Sequence, residues 1–254
     1  MLDTTGRQAG PHLAAREKTL REELSAAFRL TAQFGWNEAV ANHFSVALSD
    51  DGRTFLMNPR WRHFAAIMPD DLLVLDADAA GTMQRPDAPD PSAWTIHGHI
   101  HSALPHARCV LHVHPPYATA ISALADPEIK PVDQNTARFF GRVAVDLDYG
   151  GLADNEAEGR RLVEVLGDKA VMMMGNHGVL VTARTVAEAF DELYYLERAC
   201  QTLLLAYSSG QKLSILPDEL AARTAREWDA YRPSAFDHFR ELRSLLERVP
   251  LRLT

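Results

Sequence analysis

The order of segments along the chain predicts an α/β fold with one main domain. Segments with the 3.6-residue period of a helix alternate with short β-branched runs typical of strands. The 254 residues are 46% hydrophobic and 24% charged, which is enough apolar material for one sizeable core. The sequence shows no internal repeat or low-complexity tract. Together these observations favour a globular α/β protein over a repeat protein.

The N-terminal part of the sequence predicts a loose arm followed by an amphipathic helix. Residues 1–12 have no hydrophobic period, and we expect a flexible arm there. In residues 13–35 apolar side chains such as Leu24 and Phe28 fall on one side of a helix, and Gly35 is a typical helix stop.

A β-hairpin is predicted next. Strand-like runs at residues 42–48 and 54–57 are joined by the turn sequence at 49–53, and a further strand is predicted at 72–76. Three prolines within residues 86–91 predict an irregular loop, because proline cannot donate a backbone hydrogen bond.

The remaining elements continue the alternation. Helices are predicted at 94–104, 116–124, 155–166 and 185–207, and strands at 109–114, 139–145 and 169–174. The main domain is therefore predicted to span residues 13–208. Residues 209–254 are predicted to form a helical extension that packs on this domain or on a neighbouring subunit.

Charge and cysteine content restrict the partners and the compartment. The formal net charge of −8 argues against a nucleic-acid or membrane partner, because no basic stripe is available to neutralise phosphates. No apolar run approaches the roughly 18 residues that span a bilayer. The two cysteines, Cys109 and Cys200, fall in a predicted buried strand and a predicted helix, and the N-terminus does not resemble a signal peptide. We expect a cytoplasmic protein.

Three histidines predict a metal site. His112 and His114 occupy alternate positions of a predicted strand and so point to the same side of it. His177 follows another buried strand and could complete the set, with Gly178 marking a tight backbone just after it. Three protein nitrogens would leave coordination positions open, as in a catalytic site. The alternative is that each histidine is an ordinary polar residue at a strand end.

Six short motifs, in this order, resemble the class II aldolase/adducin N-terminal family. The resemblance covers about residues 15–205 and rests on Asn42-His-Phe-Ser45, Asn58-Pro-Arg-Trp61, Asp71-Leu-Leu-Val-Leu-Asp76, Pro91-Ser-Ala-Trp-Thr-Ile-His97, His112-Val-His114 and Gly175-Asn-His-Gly178. It implies a three-layer α/β/α sandwich around a nine-stranded, mostly antiparallel sheet. It also implies a homotetramer, or another homo-oligomer, with sites between subunits. The family's divalent metal, usually Zn²⁺, would be held by His112, His114 and His177, with Fe²⁺ or Mn²⁺ left open.

The sequence departs from the family's aldolases at three places. The glutamate that moves protons in those enzymes corresponds to Ala93, nineteen residues before His112, and alanine cannot move a proton. The phosphate-binding loop is replaced by a loop containing Arg60 and Trp61, which favours a carboxylate and a planar group as ligand. The tyrosine that donates a proton in the family's aldolases aligns near Gln134 of this chain, so a glutamine stands close to where those enzymes have the tyrosine.

These departures lead to a functional hypothesis and two alternatives. We expect a metal-dependent lyase, of the decarboxylase or retro-aldol type, in which the metal stabilises an enolate or phenolate oxygen. Its substrate would be a small non-phosphorylated hydroxy- or oxo-carboxylate, with aromatic acids included. One alternative is an iron-dependent oxygenase on the same scaffold. The other is a non-catalytic, adducin-like interaction module.

The other candidate site residues have simpler alternatives as well. His97 and His101 share a helix face and are catalytic candidates with Gln134, although helix histidines are more often structural. The candidates for substrate binding are Asn42, His43, Ser45, Arg60, Trp61, Ser92 and Phe139. The first three could instead be turn-forming polar residues, the basic loop could be a solvated one, and Phe139 could be a core residue.

Overall fold

The computed structural model describes residues 11–148 and 156–248, in which one seven-stranded sheet is the central element. Its strand order is β3-β2-β1-β4-β7-β6-β5. The strands are β1 His43–Ala47, β2 Thr54–Met57, β3 Leu73–Asp76, β4 Cys109–Val113, β5 Val143–Asp146, β6 Val171–Met174 and β7 Gly178–Ala183. Neighbouring strands are antiparallel except for β5 and β6, which are parallel. The predicted mostly antiparallel sheet is thus confirmed.

Eight α-helices surround the sheet in the described part of the chain. They are α1 Pro11–Gln33, α2 Pro91–Ala103, α3 Pro116–Ser122, α4 Gln134–Ala137, α5 Glu156–Leu166, α6 Val186–Ser208, α7 Asp218–Ala230 and α8 Ser234–Arg248. Within the described ranges every helix is too short or too polar to cross a membrane.

The helices form a layer on each face of the sheet, so the predicted three-layer α/β/α sandwich is confirmed. Phe28 of α1 and Phe190 of α6 pack in one core with Leu111 of β4. On the opposite face Ile96 of α2 packs with Val110 of β4. Successive strand side chains point to opposite faces, which is why adjacent residues of β4 belong to different cores.

Strand β1 is unusual because one of its faces is polar. Phe44 lies in the core beneath α1, whereas His43 and Ser45 are buried on the other face. The register of the sheet places His43 opposite His112 and Ser45 opposite Val110 on β4. This polar patch therefore lies on the same side of the sheet as α2, where it determines the geometry of the site.

Several predicted elements differ from the observed ones. The described residues form seven strands rather than nine, and β5 begins at Val143 rather than at Phe139. The reason for the later start is a short helix, α4, which Asp133 caps by accepting a hydrogen bond from the Thr136 backbone N–H at 2.8 Å. The turns after α4 end at Gly141, whose φ is 71°. The proposed arm falls largely on residues 1–10, outside the described ranges.

Buried charges hold α4 against α6. The Arg138 side chain donates to Asp191 at 2.6 Å and to Glu192 at 3.2 Å, and its guanidinium lies 4.6 Å from the centre of the Tyr195 ring. Because these charges are almost completely buried, their mutual pairing is what makes their burial tolerable.

Candidate metal centre and substrate cleft

The sheet brings the three predicted histidines together. His112 is on β4 and His114 follows directly after that strand, so their side chains lie on the same side. His112 is opposite Leu180 of β7, and the tight loop between β6 and β7 carries His177. The preceding residue, Asn176, has a φ of 56°, a left-handed conformation that asparagine tolerates better than most residues.

Hydrogen bonds orient two of the rings so that Nε2 is available to a cation. His112 Nδ1 donates to the Val179 carbonyl at 3.0 Å, and His114 Nδ1 donates to the Glu38 carboxylate at 2.8 Å. The two Nε2 atoms are then 3.2 Å apart, and one ring nitrogen each of His112, His114 and His177 lies within 4.8 Å of the others. Metal-binding histidines in proteins commonly have such carbonyl or carboxylate partners. The donor set fits a divalent metal.

Gly178 provides the space that His114 occupies. A Cβ atom at this position would lie 2.3 Å from His114 Cδ2 and 3.0 Å from the Val113 carbonyl oxygen. Any side chain larger than hydrogen would displace the imidazole. The glycine thus makes the convergence of the three rings possible.

Burial favours the neutral, metal-binding form of these histidines. Desolvation lowers the pKa of His112 well below its usual value, and the neighbouring imidazoles lower it further. Desolvation, with the nearby His114, lowers the pKa of His177 to about 4. Since a metal binds only the unprotonated ring, both can act as ligands at neutral pH.

A cleft of about 240 Å³ opens above the three histidines. It brings together several residues proposed from the sequence, namely Asn42, His43, Arg60, Trp61 and Ser92, and Ala93 also lines it. Trp61 is at its exposed edge with 73% of its surface accessible.

Asn42 and Arg60 are donors without protein partners in the described structure. Asn42 is buried with a φ of 73°, and its Nδ2 has no hydrogen-bond acceptor. Its Oδ1 accepts from the Glu38 backbone N–H at 3.0 Å. Arg60 has no ion pair in the described part of the chain, whereas the nearby Arg62 contacts Asp71 at 3.3 Å. A buried donor without a partner is costly, and this applies to Asn42. Arg60 is exposed at the cleft, so its unpaired guanidinium is available to an anionic ligand.

Three predicted site residues lie beneath the cleft instead of lining it. His97 Nε2 is 2.7 Å from His43 Nδ1, and its Nδ1 is 2.5 Å from Ser45 Oγ. Ser45 Oγ is 2.7 Å from His101 Nε2, whose Nδ1 is 2.7 Å from the Ala107 carbonyl oxygen. All three are buried between β1 and α2, and the catalytic roles expected for His97 and His101 and the substrate contact expected for Ser45 stay predictions.

The sequence profile described as "Class II Aldolase and Adducin N-terminal domain" matches residues 22–204. The chain belongs to this family. Its fold and its cluster of histidines are consistent with that membership.

Three relatives of this class II aldolase and adducin family member are informative. Decarboxylase NovR of Streptomyces niveus is 30% identical over 82% of this chain and 80% of its own length. The "4-hydroxy-3-prenylphenylpyruvate oxygenase/4-hydroxy-3-prenylbenzoate synthase" of Streptomyces roseochromogenus is 30% identical over 82% of this chain and 78% of its own length. The crystal structure of an aldolase II superfamily protein from Pseudomonas syringae is 31% identical, covers 97% of both chains and has a TM-score of 0.84.

Of the described residues that line the cleft, Asp90 is the one carboxylate. It accepts hydrogen bonds from the Ser92 backbone N–H at 3.0 Å, the Ala93 backbone N–H at 3.3 Å and Ser92 Oγ at 2.5 Å. All three donors contact Oδ1, through which Asp90 caps α2, and the described structure gives Oδ2 no hydrogen bond. An aspartate directly before Pro91 is a common helix start, so this residue could have been identified from the sequence.

Two predicted residues lie away from the cleft. Phe139 is only 2% exposed and belongs to the main core, as in the alternative of a core residue, and its contact with a ligand stays a prediction. Gln134 lies in a separate groove beside α7, where its carbonyl accepts a hydrogen bond from Trp228 Nε1 at 3.2 Å. Its catalytic role stays a prediction.

Glu38 is a residue of the candidate metal centre that the sequence did not indicate. Its carboxylate contacts His114 across 76 positions of sequence. It lies in a segment without regular structure, so no local periodicity points to it.

Proposed function

We propose that this family member is a divalent-metal-dependent lyase acting on a small, non-phosphorylated hydroxy- or oxo-carboxylate. The observation that supports it most is the convergence of His112, His114 and His177 in a cleft that also presents Arg60 without an ion pair. A decarboxylation or a retro-aldol cleavage would both fit such a site.

Arg60 and Asn42 would bind the carboxylate of the substrate. A guanidinium pairs with a carboxylate through two parallel hydrogen bonds. Asn42 lines the same cleft, and its covered Nδ2 would have to turn toward the ligand in order to donate. Trp61 at the edge of the cleft offers an indole surface to a planar or apolar group. The absence of a phosphate from the substrate is inferred from this combination of residues.

Zn²⁺ is the proposed metal, with Fe²⁺ or Mn²⁺ as alternatives, because the three nitrogens suit all of them. Bound there, the metal would act as a Lewis acid that polarises an oxygen of the substrate. Glu38 would hold His114 in position, and the Val179 carbonyl would do the same for His112.

Ala93 removes the proton acceptor that the family's aldolases use. Loss of carbon dioxide requires no base to begin, whereas retro-aldol cleavage requires removal of a hydroxyl proton. Ala93 is buried beside Phe55 and Met57 and offers no acceptor, so a retro-aldol cleavage would depend on Asp90 or His43, which both line the cleft. The name of the relative decarboxylase NovR supports decarboxylation as the first choice.

An iron-dependent oxygenase is a second candidate, supported by the relative whose name includes an oxygenase activity. An adducin-like module without catalysis is the third candidate, but such a module would have no use for three converging imidazoles.

We further propose that the protein is cytoplasmic and forms a homotetramer or another homo-oligomer.

The experiment that tests the proposal combines metal analysis with an oxygen-free assay. Purified protein is expected to hold one metal per chain, and His112→Ala should lose it while His99→Ala keeps it, since His99 contacts the Thr95 carbonyl away from the centre. Release of carbon dioxide or an aldehyde from hydroxy acids without oxygen would support the lyase. Turnover that needs both oxygen and ferrous iron would replace it with the oxygenase, and a metal-free wild type would refute both.

A further inference from the structure

The buried chain of hydrogen bonds beneath the cleft has a single possible direction. It ends at the Ala107 carbonyl, which can only accept, so His101 Nδ1 carries the hydrogen. In a neutral ring His101 Nε2 is then an acceptor, and Ser45 Oγ must donate to it at 2.7 Å. One backbone carbonyl thus sets the orientation of the first two members.

The direction of the remaining hydrogen bonds, from Ser45 to His43, follows in the same way, because each group has one hydrogen to donate. Having donated its only hydrogen, Ser45 Oγ accepts from His97 Nδ1. His97 Nε2 is then an acceptor and receives the hydrogen of His43 Nδ1 at 2.7 Å. The last ring in the chain, His43, is left with an Nε2 that carries no hydrogen.

Burial keeps the chain in this neutral state. Desolvation lowers the pKa of His97 well below its usual value and that of His101 to about 4, so neither ring is protonated at neutral pH. An added proton would give one of the contacts two opposing donors.

Nε2 of His43 is accessible from the cleft. The described side chains that have a fully buried polar atom without a partner are Asn42, His106 and Thr119, and His43 is not among them. Its Nδ1 is engaged by His97, and the ring lines the cleft 4.7 Å, centre to centre, from the His112 ring. Its remaining nitrogen therefore opens toward the candidate metal centre.

We propose that His43 Nε2 is a hydrogen-bond acceptor that selects carboxylate substrates in which the oxygen facing it belongs to an alcohol or phenol hydroxyl group rather than to a ketone or an ether. This inference rests on the proposed function and narrows it. A hydroxyl beside the metal centre would donate to this nitrogen, whereas a ketone or an ether oxygen would face its lone pair without a hydrogen between them. Ser45, His97 and His101 are positioning residues in this arrangement.

The direction of the chain is tested by nitrogen NMR on the zinc-loaded protein labelled with ¹⁵N-histidine. His43, identified by the signals that disappear in His43→Phe, should have a protonated Nδ1 and a bare Nε2. A protonated Nε2 would overturn the proposal. A zinc-bound Nε2 would also overturn it, since His43 would then be a metal ligand.

Hydroxyl selection is tested by calorimetric binding of mandelate, its O-methyl ether and phenylacetate to the zinc-loaded protein. Mandelate should bind about tenfold tighter than the other two acids, as expected for one hydrogen bond to an otherwise unmatched acceptor. In His43→Phe the three affinities should agree to within about twofold. Equal affinities in the wild type, or no binding of any of the acids, would overturn the proposal.

A matched pair of variants tests the positioning role. Ser45→Ala breaks the chain, which frees the His97 ring to reverse its hydrogens and place one on His43 Nε2. The mandelate preference should then fall about tenfold with zinc stoichiometry unchanged, and Ser45→Thr, which keeps a hydroxyl, should retain it. An unchanged preference and NMR spectrum in Ser45→Ala would refute the relay. Failure of the lyase itself would look different, with hydroxyl preference intact and no carbon dioxide released.

Discussion

Replacing Gly178 by alanine is the sharpest test of the metal centre. The new methyl group would stand 2.3 Å from His114 Cδ2, whereas carbon atoms in contact prefer about 3.5–4.0 Å. The imidazole must therefore move by roughly 1 Å, since the other close atom, the Val113 carbonyl at 3.0 Å, belongs to the backbone. Metal–nitrogen distances tolerate only about 0.2 Å of error, so His114 would lose its place in the ligand set.

The expected result is a fall in zinc affinity of about 10- to 100-fold, the range seen when the support of a metal ligand is lost. Stability should fall by about 1–3 kcal/mol, as for other overpacked sites. Competition with a chromophoric chelator measures the first quantity and urea unfolding of the metal-free protein measures the second. Gly81→Ala is the control, because its methyl group would meet no atom within 4 Å. Zinc affinity in Gly178→Ala equal to that of the control would refute the role assigned to Gly178.

Four further predictions concern single residues. Glu38→Gln should weaken zinc binding about tenfold without lowering the melting temperature, and equal affinities by calorimetry would contradict the role of its carboxylate. Arg60→Ala should raise KM for a carboxylate substrate about tenfold or more, with little change in melting temperature; an unchanged KM removes it from the binding site. His101, with its pKa lowered to about 4, takes up its proton more readily when unfolded, so this residue alone should account for on the order of 3 kcal/mol of the stability that metal-free protein loses as pH falls from 6.5 to 4. In urea unfolding, His101→Phe should reduce that loss by about this amount, and the remainder should come from the other buried histidines. Arg138→Met should cost about 3–5 kcal/mol by leaving the Asp191 carboxylate without its buried cation; a smaller loss in urea unfolding would show that other groups compensate.

The strand pattern was sufficient to predict the first half of the metal centre. His112 and His114 are two residues apart in a β-branched run, and a strand places such side chains on one side whatever the rest of the fold. The addition of His177 depended on family motifs, because periodicity does not reveal that β7 pairs with β4. The contact between His114 and Glu38 could not be predicted from the sequence, since it joins two segments that only the tertiary structure brings together.

The buried histidines show a different limit. The spacing of His97 and His101 predicted correctly that they share a face of α2, and the alternation in β1 implies that His43 and Ser45 share a face of that strand. What the sequence could not reveal is that these two polar faces lie against each other. Polar side chains usually indicate solvent or a ligand, and here they satisfy one another between two packed layers.

The polar face of β1 also fixes the register in which this strand pairs with β4. A slip of β1 by one residue against β4 would turn His43 and Ser45 toward the apolar helix α1 and direct Phe44 at the histidines of α2. Each imidazole or hydroxyl left buried without a hydrogen-bond partner would then raise the free energy of the misaligned sheet by about 1–3 kcal/mol. Because several such groups are affected at once, the misaligned pairing is strongly disfavoured. The hydrogen-bonded network beneath the cleft therefore also specifies the register in which β1 pairs with β4 when the sheet forms.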